Sequence, residues 1–377
     1  MLKRFFIISS ALLGIILFLW LLYFFFFSQK EGEGSPPITD IEPSSEGEDI
    51  LSPTLKQFTD IPLLSAKLSK DGTTLYGYHP LTATLYAIDT ETYKKTVLLD
   101  TNLINPLVGI WSKNNPLSLL KTQPQGGSQY FLIDSDLQTV SALQDDIHYL
   151  TWDSLSEKIV YINRKSPGSL SFYTANPNGS SPQEILTIEE KEYIDMTAIP
   201  ESPLIAYWPE SSNVRISPLY SVNLSTKKKN TLFSGKYGAS YLFSPNGKTI
   251  LVSWAPEKNS SRLSLATING YGGEYTDLGL PTLTSKCTWN TENTSLYCAV
   301  PTNIPSTAIM PDDYLKGEFH TTDVFWKITL ATGEKERIIK PEDIPQSFDA
   351  TNLLLSPGEQ KLYFTDKVSG NVYEIAL

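Results

Sequence analysis

Between Val300 and Val324 the chain reads PTNIPSTAIMPDDYLKGEFHTTD, and this stretch holds its densest set of residues able to do chemistry. Asp312, Asp313 and Asp323 offer carboxylates, Tyr314 a phenol and His320 an imidazole. Such a set can serve acid–base chemistry, ligand contact or metal binding. Spacing argues against the metal: the D-x-[DN]-x-[DN]-G loop of a hard-cation site is absent, and one His near three Asp matches no transition-metal template. We therefore expect no metal and no cofactor. His79 and His148 stand without a carboxylate and nucleophile beside them, and there is no G-x-S-x-G elbow. No catalytic residue is assigned, and an enzyme is not expected.

Two readings of that stretch stay open. It is either a lid or contact loop over a binding surface, or a loop packed on its own sheet with Met310 and Tyr314 as buried anchors. Cys287 and Cys298, the only cysteines, lie just ahead of it. If the turn Thr291–Thr294 between them is symmetric, they face each other on paired strands, within reach of a disulfide. A one-residue bulge would instead leave two buried thiols.

The elements that must position these residues are strands. Residues 239–279 carry an apolar run, a Ser-Pro-Asn-Gly turn at 244–247, a second apolar run and two further alternating segments. With period-two alternation, Tyr241, Phe243, Ile250, Val252 and Trp254 fall on one face. Pro245 pre-sets the turn and Gly247 supplies a positive φ. This is a four-stranded antiparallel unit, and copies of it begin at Leu68, Trp111, Trp152, Ile199, Phe243, Trp289 and Leu355. Most intervals are roughly 41–47 residues, the size of one propeller blade. The sixth is longer, because it holds the 301–323 stretch as a loop between the second and third strands. The seventh copy stops one strand short, while Thr54–Phe58, ahead of the first copy, resembles a fourth strand. We expect it to close the ring and remove the two exposed edges. The expected fold is all-β, a seven-bladed β-propeller over residues 51–377, with six or eight blades as alternatives.

Composition narrows function. The 377 residues carry a net charge of −11, which argues against a nucleic-acid partner. Phe5–Phe27 is an uncharged run of 23 residues, about 34 Å as a helix, enough to span a bilayer core. Lys3 and Arg4 precede it, so the positive-inside rule places residues 1–4 in the cytoplasm and the bulk outside. A cleaved signal peptide is the rival, but the run is long and ends in four phenylalanines rather than a small-x-small site. Residues 28–50, with seven acidic residues against one lysine, read as a disordered stalk. The run Lys227–Lys229 reads as a solvated loop tip. Asn178, Asn223, Asn259 and Asn293 match N-x-S, which matters only in a glycosylating host.

The segments Phe243-Ser-Pro-Asn-Gly-Lys-Thr-Ile-Leu-Val and Leu355-Ser-Pro-Gly-Glu-Gln-Lys-Leu-Tyr-Phe resemble the repeat of TolB-like and WD-repeat-like propellers, and that of propellers attached to prolyl-oligopeptidase-type peptidases. The resemblance covers roughly residues 53–377, and no stretch is left to house a peptidase domain. It implies a binding platform. The expectation is a single-pass membrane protein whose extracytoplasmic propeller binds or scaffolds an envelope protein, peptide or glycan. The alternative is a propeller hydrolase or lyase with an acid–base site at the axial channel mouth.

Overall fold

The computed structural model describes residues 54–377 except 114–116, 125–126 and 190–192. The apolar run 5–27 and the acidic stretch 28–50 therefore lie outside the described residues. Among those described, no helix is long and apolar enough to cross a membrane.

Among the described residues seven antiparallel sheets of four strands make up the fold, six of them in chain order from a first strand outward and the seventh completed by a strand from the other end of the chain, so the molecule is a seven-bladed β-propeller. First strands meet around the axis from blade one through blade four and again between blades six and seven, and that of blade seven (Ala350–Leu355) meets that of blade one (Leu64–Leu68). The five residues read onto one face of blade five are all buried in one cluster. That cluster also holds Ile199, Ala206, Trp208 and Leu219 of blade four, so the face is a blade–blade interface.

The turn chemistry is local and repeated. In blade five, Ser244 Oγ accepts the Thr249 N–H at 3.0 Å and donates to Asn246 Oδ1 at 2.9 Å. In blade one, Ser69 Oγ accepts from Thr74 N at 2.9 Å and donates to Asp71 Oδ1 at 2.7 Å. Gly247 combines a φ of 68° with a neighbour: a Cβ there would sit 2.5 Å from the Pro200 carbonyl oxygen of blade four. The turn glycine is thus required twice, by its own backbone and by the next blade.

The tryptophans that open repeats two, three and six act across blades. Trp111 Nε1 donates to Ser65 O at 2.6 Å, Trp152 to Ile110 O at 3.0 Å and Trp289 to Leu242 O at 3.4 Å. Each satisfies its indole N–H with a carbonyl on the first strand of the preceding blade.

The ring closes with strands from both ends of the described chain. Leu55–Gln57 pairs with Val372–Ala376 in the register Leu55↔Ile375, Lys56↔Glu374, Gln57↔Tyr373. Glu374 is buried at this seam, accepting from Tyr93 of blade one at 2.7 Å and lying 3.0 Å from Lys56 and 3.4 Å from Lys361. Because opening the seam exposes two edges, residues 55–58 should exchange their amide hydrogens only as slowly as the inner strands of blade seven. Hydrogen exchange read by mass spectrometry checks this; fast exchange confined to 55–58 would show the seam to be an independent, fraying strand.

Cys287 and Cys298 are directly opposed on the first two strands of blade six and joined, with an S–S distance of 2.08 Å and Cα atoms 4.1 Å apart. The lysine run differs from a plain loop tip. Lys229 opens the fourth strand of blade four, and its ammonium sits 4.0 Å from the centre of the Tyr220 ring, a cation–π contact across strands.

Candidate functional site

In an up-and-down blade the loops between strands two and three share one face with the connections between blades. The blade-six loop lies on that face and reaches sideways over blade five to blade four. Ser212 Oγ and the Asn213 N–H of blade four donate to the two oxygens of Asp312, at 2.7 and 2.6 Å. The Met310 N–H donates to Ser260 O of blade five at 2.9 Å. Asn213 is fully buried where the three loops meet, its side chain donating to Met310 O and accepting from the Asn259 N–H. Gly238 makes room for the loop: a Cβ there would lie 2.8 Å from Pro311 Cδ. Met310 and Tyr314 are buried as anchors. The loop is therefore both packed and projected over the neighbouring blades, and the two readings of it are not exclusive.

Of the five residues singled out from the sequence, three meet. Tyr314, His320 and Asp323 gather around Asp349 and Lys286, both of which the sequence reading passed over. Lys286 is fully buried, 2.7 Å from Asp323 and 2.7 Å from Asp349, and also donates to Thr321 Oγ1 at 2.9 Å and Ala350 O at 3.0 Å. Tyr314 OH donates to Asp349 at 2.7 Å, and His320 Nδ1 lies 3.2 Å from its other oxygen. Burial pushes the Asp349 carboxyl up, but the Lys286 charge and its hydrogen bonds outweigh that and hold it at about 2. Burial raises the Tyr314 phenol, and the Asp349 carboxylate raises it further. His320 is half exposed, but the lysine and both carboxylates are closed to solvent. The cluster is a pin for the loop rather than a place where a substrate could react. Asp312 lies apart, against blade four. Asp313 turns inward to accept the Ile309 N–H at 2.7 Å, within the one-turn helix Asp312–Leu315.

The pinned loop roofs a cavity of about 460 Å³, with Pro311 and Leu315 on one side and Asp195, Trp208, Glu210 and Tyr241 on the other. Leu242, Thr284 and Ser285 line it and also a second cavity of about 610 Å³ along the first strands. Asp195 stands in the first strand of blade four, directly opposite Trp208. Burial raises its pKa to about 6 and nearby Glu210 adds to the rise; the indole N–H of Trp208 opposes it, although buried Trp208 Nε1 completes no hydrogen bond of normal geometry. No Lys or Arg among the described residues forms an ion pair with Asp195. Of the hydroxyls here, Ser240 is committed to Ser253 at 2.9 Å and to Thr284 at 2.7 Å, while Ser211 donates to Ala239 O at 2.8 Å and Tyr241 to Ser217 O at 2.6 Å. No histidine lines the cavity. Among the described residues no group of three or more His, Cys, Asp or Glu is placed to hold a metal. What the cavity offers is a carboxyl without a cation, an indole donor poorly aligned to it and apolar walls: a recognition chemistry.

Asp195 and Lys286 left one trace in the sequence, a charged residue in or directly before an apolar first strand (Ile194-Asp-Met, Ser285-Lys-Cys). First strands face the axis, so a charge there must find either a buried partner or the channel.

No family model and no curated protein matches the chain. Among solved structures it is similar to oligogalacturonate lyase from Vibrio parahaemolyticus, with TM-score 0.60 and 12% identity over 85% of this chain and 93% of that one. A second oligogalacturonate lyase structure, in complex with manganese, gives 0.58 and 13% over 86% and 90%. The β-propeller domain of Cps50 (Swd1) from Myceliophteria thermophila gives 0.55 and 10% over 86% and 99%. At these identities the likeness is one of fold: this chain shares the β-propeller architecture of enzymes and of WD-repeat proteins alike.

Proposed function

We propose that this chain is a binding module: a propeller displayed outside the cytoplasm, tethered to a membrane by residues 5–27 through the acidic stalk 28–50, which takes a protein or peptide partner at its axial mouth. The observation that carries this reading is the cavity under the blade-six loop, where a half-buried carboxyl without a cation faces a buried indole whose N–H completes no hydrogen bond of normal geometry. Keeping unpaired polar groups buried costs stability unless a ligand completes them. Around the mouth, Tyr193, Val214, Ile216 and Leu315 are exposed, an apolar rim suited to a protein surface more than to a glycan.

The test is site-specific photocrosslinking in the full-length, membrane-bound chain. A photoreactive residue at Leu315 or Val214 should trap a discrete partner, and one at Glu336, on an exposed outer strand, should not. Asp195→Asn together with Glu210→Gln should weaken that capture at least about tenfold, the loss of one good charge-assisted contact. Equal capture from Leu315 and Glu336 would sink the reading.

One observation favours the enzymatic alternative: a carboxyl that holds its proton to about pH 6 can act as a general acid. Turnover of an oligogalacturonate by the purified propeller, abolished by Asp195→Asn, would replace the binding reading by that one.

A further inference from the structure

A third cavity, of about 590 Å³, lies between blades one and two on the opposite face from the blade-six loop, among the turns joining first to second strands. Its lining includes Lys67, Lys70 and Lys113, the rings of Tyr76 and Trp111, and one acidic residue, Asp136. The lysines are not scattered. In all seven blades the residue that opens the turn donates its N–H to the carbonyl five positions on, as Ser69 does to Thr74 at 2.7 Å and Ser112 to Leu117 at 3.0 Å. The next residue is then the same structural position throughout: Lys70, Lys113, Ser154, Pro200, Pro245, Thr291 and Pro357. Only the two blades that flank this cavity put a lysine there, and both lysines line it, Lys113 standing also at the edge of the cavity along the first strands.

Lys67 adds a third cation from within the first strand of blade one. Its ammonium donates to the Ser112 carbonyl at 2.5 Å and lies 5.9 Å from the Trp111 ring. Burial depresses its pKa, and among the described residues none of the three lysines forms an ion pair. A carboxylate partner would be the usual compensation for a half-buried ammonium. Its absence in a chain of net charge −11 makes this cleft a local positive well in an acidic molecule. The walls between the lysines are flat and apolar, with Tyr76 and Trp111 6.2 Å apart and Leu68, Leu85, Ala87 and Leu98 completing them.

We infer that the cleft between blades one and two is a binding site for a small ligand that carries an oxyanion, phosphate or carboxylate, on a flat ring. The three ammonium groups take the oxyanion, and the aromatic pair and leucines take the ring. This site is separate from the axial mouth and stands whether or not a partner binds there.

The full-length chain in detergent is titrated by calorimetry with phenyl phosphate, benzoate, inorganic phosphate and phenol. Phenyl phosphate or benzoate, or both, should bind saturably with one site per chain, at least about tenfold more tightly than inorganic phosphate or phenol, since each of those keeps only half of the recognition. The stronger of the first two identifies the preferred oxyanion. Binding should weaken as salt is raised. Lys70→Gln with Lys113→Gln changes only exposed side chains and should lose about tenfold or more; Lys67→Met, with folding checked by circular dichroism, should lose at least as much. Lys228→Gln, in the blade-four turn, should change nothing. Absence of saturable binding, equal binding by the Lys70/Lys113 double variant, or inorganic phosphate as tight as phenyl phosphate would each overturn the assignment.

Discussion

Lys286→Met should destabilise the propeller by about 3–5 kcal/mol, the usual consequence of removing one partner from a buried ion cluster. The lysine is fully buried between Asp323 and Asp349, 2.7 Å from each. A methionine of similar volume leaves two carboxylates out of water with no cation. They can protonate, but Asp349, held at about 2 in the wild type, must then be raised far above that value. The loss is therefore largest at neutral pH and shrinks in acid. Adding Asp349→Asn to Lys286→Met should recover part of the loss, because one of the stranded charges is gone; the asparagine can still accept from Tyr314 and Thr321, its partners at 2.7 and 2.9 Å. A double-mutant cycle in urea measures the coupling. If Lys286→Met lowers stability by less than 1 kcal/mol, the cluster does not pin the loop.

Asp195→Asn should do the opposite and stabilise the unliganded protein at neutral pH, by about 1–3 kcal/mol. The sign follows from linkage. Asp195 holds its proton to about pH 6 when folded against an ordinary value of 3.8, so between those values the folded state binds more protons than the unfolded one. Its contribution is fully present below the unfolded value, is lost as pH rises through about 6, and leaves an ionised, buried carboxylate above it. A shift of about two units corresponds to roughly 3 kcal/mol as an upper figure. Urea unfolding of the two proteins should agree near pH 4, diverge between pH 4 and 6 and stay separated above. A gap independent of pH would mean that the carboxyl is not desolvated. A cation brought by a partner would draw the pKa down again, so that binding at pH 6 should release a proton. A stabilising substitution that weakens capture is the expected signature of a residue kept for binding at the expense of stability.

Much of the architecture could be read without coordinates, because it rests on local rules. Alternation set the faces of Tyr241, Phe243, Ile250, Val252 and Trp254, and Ser-Pro-Asn-Gly set the turn. The missing strand of repeat seven pointed to Leu55–Gln57, which the ladder to Val372–Ala376 supplies. Turn symmetry placed Cys287 opposite Cys298. The 301–323 stretch was found as a cluster, yet its members do different things: Asp312 ties blade four, Asp313 caps its own turn, and Tyr314, His320 and Asp323 converge on Asp349.

What the sequence by itself determined is the repeat: period-two burial, turn types and repeat count are properties of residues within one or two strands of each other. What only the tertiary structure decided is which residues meet across blades. Lys286 lies 37 positions from Asp323 and 63 from Asp349, and Asp312 bonds a backbone N–H 99 positions away. No local period links such pairs, since their distance depends on how far each blade is rotated about a shared axis. The same holds for the lysines at 70 and 113. Each is an unremarkable turn residue in its own blade, and they converge on one cleft because ring geometry sets equivalent positions of adjacent blades side by side.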